Sequence, residues 1–215
     1  QHRVQSGFVV GQLALAVVVV VGSGLLVKSF AKLSAVEMGF QDTGVLTFEL
    51  DLNDVVAPDA ESVTQFYDRY MEALRARPEV VTAGMASNLP LGEALDYNQP
   101  FLIPDRGGDE ETRAYHRHVS PGFFETLQTP LLAGRSFLPS DHMGERGVVV
   151  INQTLAEAFF PDGNALGASL GGLQAQWGPL GWVRVNEAEV VGIVADLAYD
   201  GIGAGSEPAI HFSFR

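Results

Sequence analysis

The sequence predicts an α+β fold, with one N-terminal transmembrane helix followed by a mixed-sheet domain held outside the bilayer. Three observations predict it: a 21-residue run without charge over residues 7–27, the placement of every acidic side chain after residue 36, and the succession of strand-like and helix-like segments from residue 46 onward. We expect two parts, a transmembrane helix with its extension over 1–33 and a folded domain over 34–215.

The uncharged run has the length and composition of a membrane span. A 21-residue helix spans roughly 31 Å, close to the thickness of the hydrocarbon layer. Thirteen of these residues are Phe, Val or Leu, and together they contribute roughly −4 to −8 kcal/mol toward insertion. A cleaved signal peptide is the alternative, but its apolar core is shorter. Here the helical pattern also continues through Lys28, Phe30 and Leu33.

Four glycines on this helix offer small surfaces against which a second transmembrane helix can pack closely. Two of them form a G-x-x-x-G pair, and the other two lie near the opposite end of the run. Glycine is also common in transmembrane helices that do not pair, so the pattern leaves both readings open. The residues expected at such a packing surface are Gly7, Gly11, Gly22 and Gly24.

Charge and cysteine content exclude several classes of function. Residues 29–215 carry 11 basic and 26 acidic side chains, a net charge of −15. Such a domain repels nucleic acid and anionic lipid headgroups, so we expect no nucleic-acid partner. The chain contains no cysteine, which excludes a disulfide scaffold, a thiolate metal site and a cysteine nucleophile. Because it starts at Gln1 and stops at Arg215 after a strand-like run, we interpret it as a fragment of a longer polypeptide.

The first part of the domain has the pattern of a strand, a helix and a second strand. Apolar residues alternate from Leu46 to Leu52, which is typical of a half-buried strand. Asp59 is placed to cap a helix with apolar residues at helical spacing, and Pro78 ends that helix. Residues 80–87 follow as a second strand. The segment therefore predicts a βαβ unit or a split version of one.

The second part of the domain is richer in strands. Ser120 and Pro121 are expected to open a short helix, with the serine as cap and the proline in the first turn. Asn152 is expected to cap another helix, directly after a central strand. The glycine-rich segment 163–182 predicts a mobile loop or a wide hairpin. The predicted strands are 100–103 and 113–119 around a hairpin tip, then 147–151, 189–195 and 209–214.

Two groups of ionisable residues are candidates for a chemical site. His116 and His118 lie two apart on a predicted strand, so they point to one face. A metal site would need a third ligand, and a solvated strand face explains them better. Asp141 and His142 could form half of a charge relay, but no serine in a nucleophile elbow accompanies them. We therefore expect no catalytic site, no metal site and no cofactor.

Short stretches spread over almost the whole chain carry a family resemblance. They include VGQLAL at 10–15, LPLG at 89–92, VSPGFFETL at 119–127, LAGRSF at 132–137 and VINQTLA at 150–156. In this order they resemble the MacB-like periplasmic core domain of ABC transporter permeases in the MacB/FtsX group. The large orphan permeases that contain this unit twice are the most similar. Within these motifs we expect structural roles for Ser120, Pro121, Gly122, Gly134, Arg135 and Asn152.

The resemblance implies a fold, a mechanism and partners. It implies that the first transmembrane helix leads into a periplasmic domain with a porter-like βαβ part and a strand-rich second part. A cytoplasmic ATP-binding subunit or domain would drive motions that reach the periplasmic domain by mechanotransmission, causing efflux or release of a substrate. The implied location is the bacterial inner membrane, with Gln1 cytoplasmic and Lys28 onward outside. Partners would be the lipid bilayer, a permease partner or second copy of the unit, and, in some branches, a periplasmic adaptor.

Two alternatives remain open at this point. A membrane-anchored sensor would have a small-ligand pocket and a signalling module on the other side of the membrane. A membrane-anchored hydrolase would have a pocket joining Asp141 and His142 to a nucleophile. The permease interpretation differs from both, because it expects an ATP-binding partner and no ATPase activity in this chain.

Overall fold

The computed structural model describes residues 2–34, 36, 38–50, 60–92, 97–104, 112–141, 146–176, 182–199, 201 and 205–214. The chain consists of two compact units, Gln1–Glu37 and Met38–Arg215. The first is a helix, and the second combines a mixed sheet of seven strands with helices. The predicted α+β class, an apolar N-terminal helix followed by a mixed-sheet domain, is confirmed.

Helix α1, His2–Ser34, includes the whole uncharged run. Residues Gln5–Ser34 are long and apolar enough to cross a membrane, with a mean hydropathy of 2.4. Its large apolar side chains are exposed, for example Leu26 at 73% and Phe30 at 74%. Apolar surface of this extent is unfavourable in water and favourable in hydrocarbon. Helix α1 is therefore a candidate transmembrane helix.

The predicted βαβ unit is only partly correct. Its helix forms as α2, Ala60–Arg75, with Val63 and Met71 buried on the apolar face. Asp59, its predicted cap, lies outside the described residues. The first predicted strand is wrong over residues 46–50, which have no strand pairing and leave Leu46 84% exposed.

The second predicted strand, 80–87, is also wrong. Only Ala86 makes a bridge, to Val119. The backbone here runs close to the short helix that begins at Phe123. A Cβ added to Gly84 would overlap the backbone of Phe123. The segment is thus fixed by this bridge and by contacts with residues 118–123 instead of by a second ladder, and the porter-like βαβ sheet is not formed in the described residues.

The remaining strands form one sheet. They are β1 Tyr97–Phe101, β2 Thr112–Val119, β3 Leu131–Gly134, β4 Arg146–Asn152, β5 Ser169–Gln176, β6 Trp182–Val194 and β7 Ala209–Ser213. Their order is β1-β2-β7-β4-β6-β3, and β5 also pairs with β6. The predicted hairpin of β1 and β2, the central strand β4 and the strands β6 and β7 all form. Strands β5 and β6 pair as a wide hairpin, which is one of the two structures predicted for the segment 163–182.

The sheet closes on itself. Strand β5 pairs with the first half of β6. Strand β3 pairs with the last residues of β6, along the same edge of that strand. Leu102, just after β1, exchanges two backbone hydrogen bonds with Gly171 of β5, both with N–O distances of 2.8 Å. Strands β1, β2, β7, β4, β6 and β5 therefore form a six-stranded ring.

The inside of the ring holds the main core. Residues from all six strands share one buried cluster, and α4, Gln153–Phe159, contributes Leu155 to it. This explains why the inner positions carry large apolar side chains, since full burial of each contributes roughly 1.5–3 kcal/mol. The cluster comprises Phe101, Ile103, Ala114, Val149, Ile151, Leu155, Phe160, Ala165, Leu170, Leu173, Val185, Ala188, Val190, Ile210 and Phe212.

A second cluster covers the outer face of the central strands. Val119, Val150 and Val194, at alternate positions to the inner residues, pack with Phe123 and Phe124. The two phenylalanines belong to α3, Phe123–Thr126, as predicted from the sequence. The central strands are therefore buried on both faces, which is why they are nearly continuous apolar runs.

We predict that two glycine-to-alanine substitutions will differ sharply in their effect on stability. Gly134 and Gly163 have nearly equal φ values, 73° and 74°. A Cβ at Gly134 would overlap the carbonyl oxygen of Val191, whereas a Cβ at Gly163 meets nothing within 4 Å. Both variants lose about 1–2 kcal/mol from the left-handed backbone, and Gly134→Ala loses a further 1–3 kcal/mol, roughly, from overpacking. Urea unfolding measures the difference, and equal losses would contradict the packing of β3 on β6.

Candidate functional sites

Asn152 is a buried polar side chain with four hydrogen bonds. It is 4% exposed. Its Oδ1 accepts hydrogen bonds from the backbone N–H groups of Leu155 (3.1 Å) and Ala209 (2.9 Å). Its Nδ2 donates to Asp196 Oδ1 (2.6 Å) and to the carbonyl oxygen of Glu207 (2.9 Å). The predicted N-cap is thus present, and the same amide also joins α4 to β7 and to the segment after β6.

Asp196 completes the start of α4. Its Oδ1 accepts from the Thr154 backbone N–H (3.0 Å), and its Oδ2 accepts from the Thr154 hydroxyl (2.7 Å). A carboxylate at a helix N-terminus is stabilised by the unpaired N–H groups there. Sequence reasoning missed Asp196, because it lies more than forty residues from the helix that it caps.

The chain enters the domain through residues 38–41, which we call the strap. The Ala198 backbone N–H donates to the carbonyl oxygen of Met38 (3.0 Å), and the Gln41 N–H donates to that of Leu127 (2.9 Å). Gly39 has a φ of 75°, and a Cβ there would overlap the carbonyl oxygen of Asp196. The strap therefore lies directly against the segment that holds Asp196.

Ser120 does not cap a helix, so that prediction is wrong. Helix α3 begins after Gly122, which has a φ of 94° and provides no side-chain cap. Ser120 Oγ instead accepts from the Met85 backbone N–H (2.8 Å). Arg75, at the end of α2, donates to the carbonyl oxygens of Pro121 (2.7 Å) and Ala83 (2.9 Å). The motif joins α2 and the 83–87 segment to the ring.

Gly134 and Arg135 stand at the end of β3, where Arg135 pairs with Asp141. Strand β3 ends at Gly134, but no strand follows over the described residues 135–141. Arg135 makes a bidentate ion pair with Asp141, at 2.6 and 3.2 Å, and this hydrogen bond raises the pKa of Arg135. Asp141 also accepts from the Leu138 N–H. The carboxylate is engaged in this turn, and His142, with which it could form half of a charge relay, lies outside the described residues.

His116 and His118 are buried, so the predicted solvated strand face is wrong. Each is 4% exposed, and both rings contact Phe212 inside the ring of strands. His116 Nδ1 lies 2.6 Å from the carbonyl oxygen of Gln174 on β5. Burial lowers the pKa of both histidines to about 4. His211, which the sequence did not single out, is 1% exposed, and burial lowers its pKa to about 3.

A small polar cavity lies beside Asn152. Arg117 is 3% exposed, and its guanidinium lies 3.6 Å from the centre of the Tyr199 ring. The cavity that these two residues line, together with Glu207 and His211, has a volume of about 10 Å³, the space of a single water molecule. In the described residues, no group of three or more His, Asp or Glu side chains could hold a metal ion.

The membrane-helix glycines lie on open surface. A Cβ added at any of the four would meet nothing within 4 Å, so their small size is not required by a neighbour in the described chain. Close packing against another transmembrane helix stays a prediction for them. The residues concerned are Gly7, Gly11, Gly22 and Gly24.

We predict that Asn152→Ala destabilises the domain by roughly 2–5 kcal/mol, because the substitution leaves the buried N–H groups of Leu155 and Ala209 unpaired. Gln153→Ala, one residue further on the exposed side of α4, should change the free energy of unfolding by less than about 0.5 kcal/mol. Urea unfolding of the detergent-solubilised chain measures both. Similar small losses in the two variants would contradict the role of Asn152.

We predict that the domain loses stability as the pH falls from about 6.5 toward 4. Since the folded-state pKa values of the buried histidines are lowered, the unfolded chain binds more protons in this window, and each proton favours unfolding. The contribution is fully present above about pH 6.5. His211→Phe removes one titrating group and should flatten the pH dependence measured by urea unfolding. An unchanged slope would contradict the buried neutral state of His211.

A family model described as the MacB-like periplasmic core domain matches residues 6–214. The periplasmic region of MacB from Actinobacillus actinomycetemcomitans is 14% identical, with a TM-score of 0.44, over 68% of this chain and 54% of that one. The extracellular domain of the noncanonic ABC-type transporter YknZ from Gram-positive bacteria is 15% identical, with a TM-score of 0.41, over 68% and 62%.

The chain spans a little over half the length of the solved domains that it matches. Comparison with curated protein sequences gives no match. The family model, in contrast, covers all but the first five residues and the last one. The chain therefore belongs to the MacB-like periplasmic core domain family.

Proposed function

We propose that this chain is a component of an ABC transporter permease in a bacterial inner membrane, with its domain on the periplasmic side. In this proposal the domain performs no chemistry. It couples the ATP-driven motion of a cytoplasmic ATP-binding subunit or domain to the efflux or release of a substrate. The observation that carries the proposal is the strap, which follows the membrane helix in the chain and lies against the segment that holds Asp196.

The strap provides a continuous path for a displacement. Residues 38–41 follow the helical unit directly in the chain and hydrogen-bond to Ala198 and Leu127. The adjacent Asp196 caps α4 and bonds to Asn152, which in turn bonds to the start of β7. A movement of residue 38 therefore reaches α4 and β7 through short hydrogen bonds, with no large loop between.

The membrane helix supports the same proposal. Its apolar side chains are exposed along its length, so it needs a lipid or protein environment to cover them. The four small-residue positions would let it pack against another helix of a permease partner or of a second copy of the unit. A periplasmic adaptor is a further partner in some members of this group, and the acidic domain disfavours nucleic acid.

We predict that the purified chain hydrolyses no ATP and that ATP hydrolysis in the complete transporter depends on a separate ATP-binding subunit or domain. No group of three or more His, Asp or Glu side chains in the part of the chain that the structure describes could hold a metal ion, and the polar cavity has the size of one water molecule. Phosphate release by the chain in detergent, compared with detergent alone, measures this. Hydrolysis by the chain itself would overturn the proposed division of roles.

We predict that Gly39→Val uncouples the domain from ATP-driven motion, whereas Gly44→Val does not. Both glycines have similar left-handed backbones, with φ of 75° and 79°, but only Gly39 lies against the carbonyl oxygen of Asp196. The measurement is the ATP-dependent change in deuterium exchange of residues 146–159 in the complete transporter. We expect the change in the wild type and in Gly44→Val, and its loss in Gly39→Val with ATP hydrolysis retained. A full response in Gly39→Val would contradict a role for the strap.

A further inference from the structure

An apolar groove opens on the surface at the end of α4. It has a volume of about 380 Å³, at the lower end of the range for binding pockets. The last turn of α4 forms one wall, the turn over 160–165 forms the second, and Ile193 of β6 forms the floor. The lining residues are Ala156, Glu157, Phe160, Pro161, Gly163, Ala165 and Ile193.

The chemistry of the groove is apolar at its floor and acidic at its rim. Glu157 is exposed and is the one ionisable residue of the lining, and Asp162, which lies between the lining residues Pro161 and Gly163 in the chain, is also exposed. An apolar pocket with a polar rim is the arrangement in which one buried side chain contributes most of the binding energy of a protein interface. The groove therefore fits a single large apolar side chain, not a polar small molecule.

The neighbouring surface extends this apolar character. Leu166, next to the lining residue Ala165, is 42% exposed, and Leu131 and Leu132 of β3 are 45% and 48% exposed. Strand β3 is the last strand in the sheet order, but it has only four residues, and its register shifts at Leu132. Short, bulged edges resist the addition of a further strand. An occupant would therefore bind by its side chain and not by extending the sheet.

Charge decides which occupant fits. The chain after residue 28 has a net charge of −15. A second copy of this domain, or an anionic lipid surface, would be repelled from a rim that carries Glu157 and Asp162. A segment with basic residues on both sides of an apolar anchor would be attracted.

We propose that this groove docks a cationic segment of another protein through one aromatic or large aliphatic side chain. The proposal does not depend on the transport role, because it rests on the shape and charge of this surface alone. It assigns a partner-binding site to the α4 end of the domain, and the residues that line it do not include the strap contacts Ala198 and Leu127.

The test uses the full chain in nanodiscs of zwitterionic phosphatidylcholine at 150 mM salt. The probe is a fluorescein-labelled peptide, Lys-Lys-Leu-Trp-Leu-Lys-Lys, and binding is read by fluorescence anisotropy against empty nanodiscs. Two further peptides separate the contributions, one with alanine in place of the tryptophan and of both leucines, and one with glutamate in place of every lysine. We expect binding of the first peptide only.

Matched variants locate the site. Glu157→Lys should weaken binding about tenfold, or about 1.4 kcal/mol, whereas Glu125→Lys makes the same charge change on α3 and should alter it less than twofold. Ala156→Phe fills the groove and should abolish binding. Ala158→Phe adds the same side chain at an exposed position of α4 outside the lining and should leave binding unchanged.

Several results would overturn the proposal. Equal weakening by Glu157→Lys and Glu125→Lys would show a nonspecific attraction to the acidic domain. Retained binding in Ala156→Phe, with the variant's unfolding transition unchanged, would exclude the groove. Self-association of the wild type that Ala156→Phe removes would identify the occupant as a second copy, and the absence of binding at millimolar peptide would remove the site altogether.

Discussion

The domain depends on one buried amide. Asn152 stands where β4 ends and α4 begins, and its four hydrogen bonds join it to Leu155 of α4, to Asp196 after β6, to Glu207 just before β7 and to Ala209 at the start of β7. Asn152 is 4% exposed, and a buried group left unpaired is costly. The same amide hydrogen-bonds to Asp196, and Gly39 of the strap packs against the backbone carbonyl of Asp196. Stability and the proposed transmission path therefore share one junction.

Sequence patterns within a few residues predicted several elements correctly. The apolar run of α1, the hairpin of β1 and β2, and the β4-to-α4 transition at Asn152 each carry their signal within a few residues. The alternation from Leu46 predicted a strand that does not form, because alternation describes which side chains face a core and not whether a neighbouring strand supplies hydrogen bonds. The closure between Leu102 and Gly171 joins residues far apart in sequence, and no local pattern indicates it.

The candidate sites were predictable to the extent that their partners are local. Asn152 as a cap follows from its place before a helix, but Asp196 and Glu207 come from distant loops. Ser120 has the sequence of a cap, yet its hydroxyl binds Met85, because Gly122 starts the helix instead. The two histidines of β2 sit at alternate positions as expected. Only the curvature of the closed sheet decides that their face is the inside.

In the proposed arrangement, α1 crosses a membrane and holds the domain outside the cytoplasm. Because the chain has no cysteine, a single cysteine reports its own side of the membrane to an impermeant maleimide added to intact bacterial spheroplasts. We expect Asn164→Cys, on the domain surface, to be labelled at once, and Gln5→Cys, at the start of α1, to be labelled only after lysis. The reverse order, or labelling of both before lysis in a chain that sodium carbonate extracts from the membrane, would contradict the account.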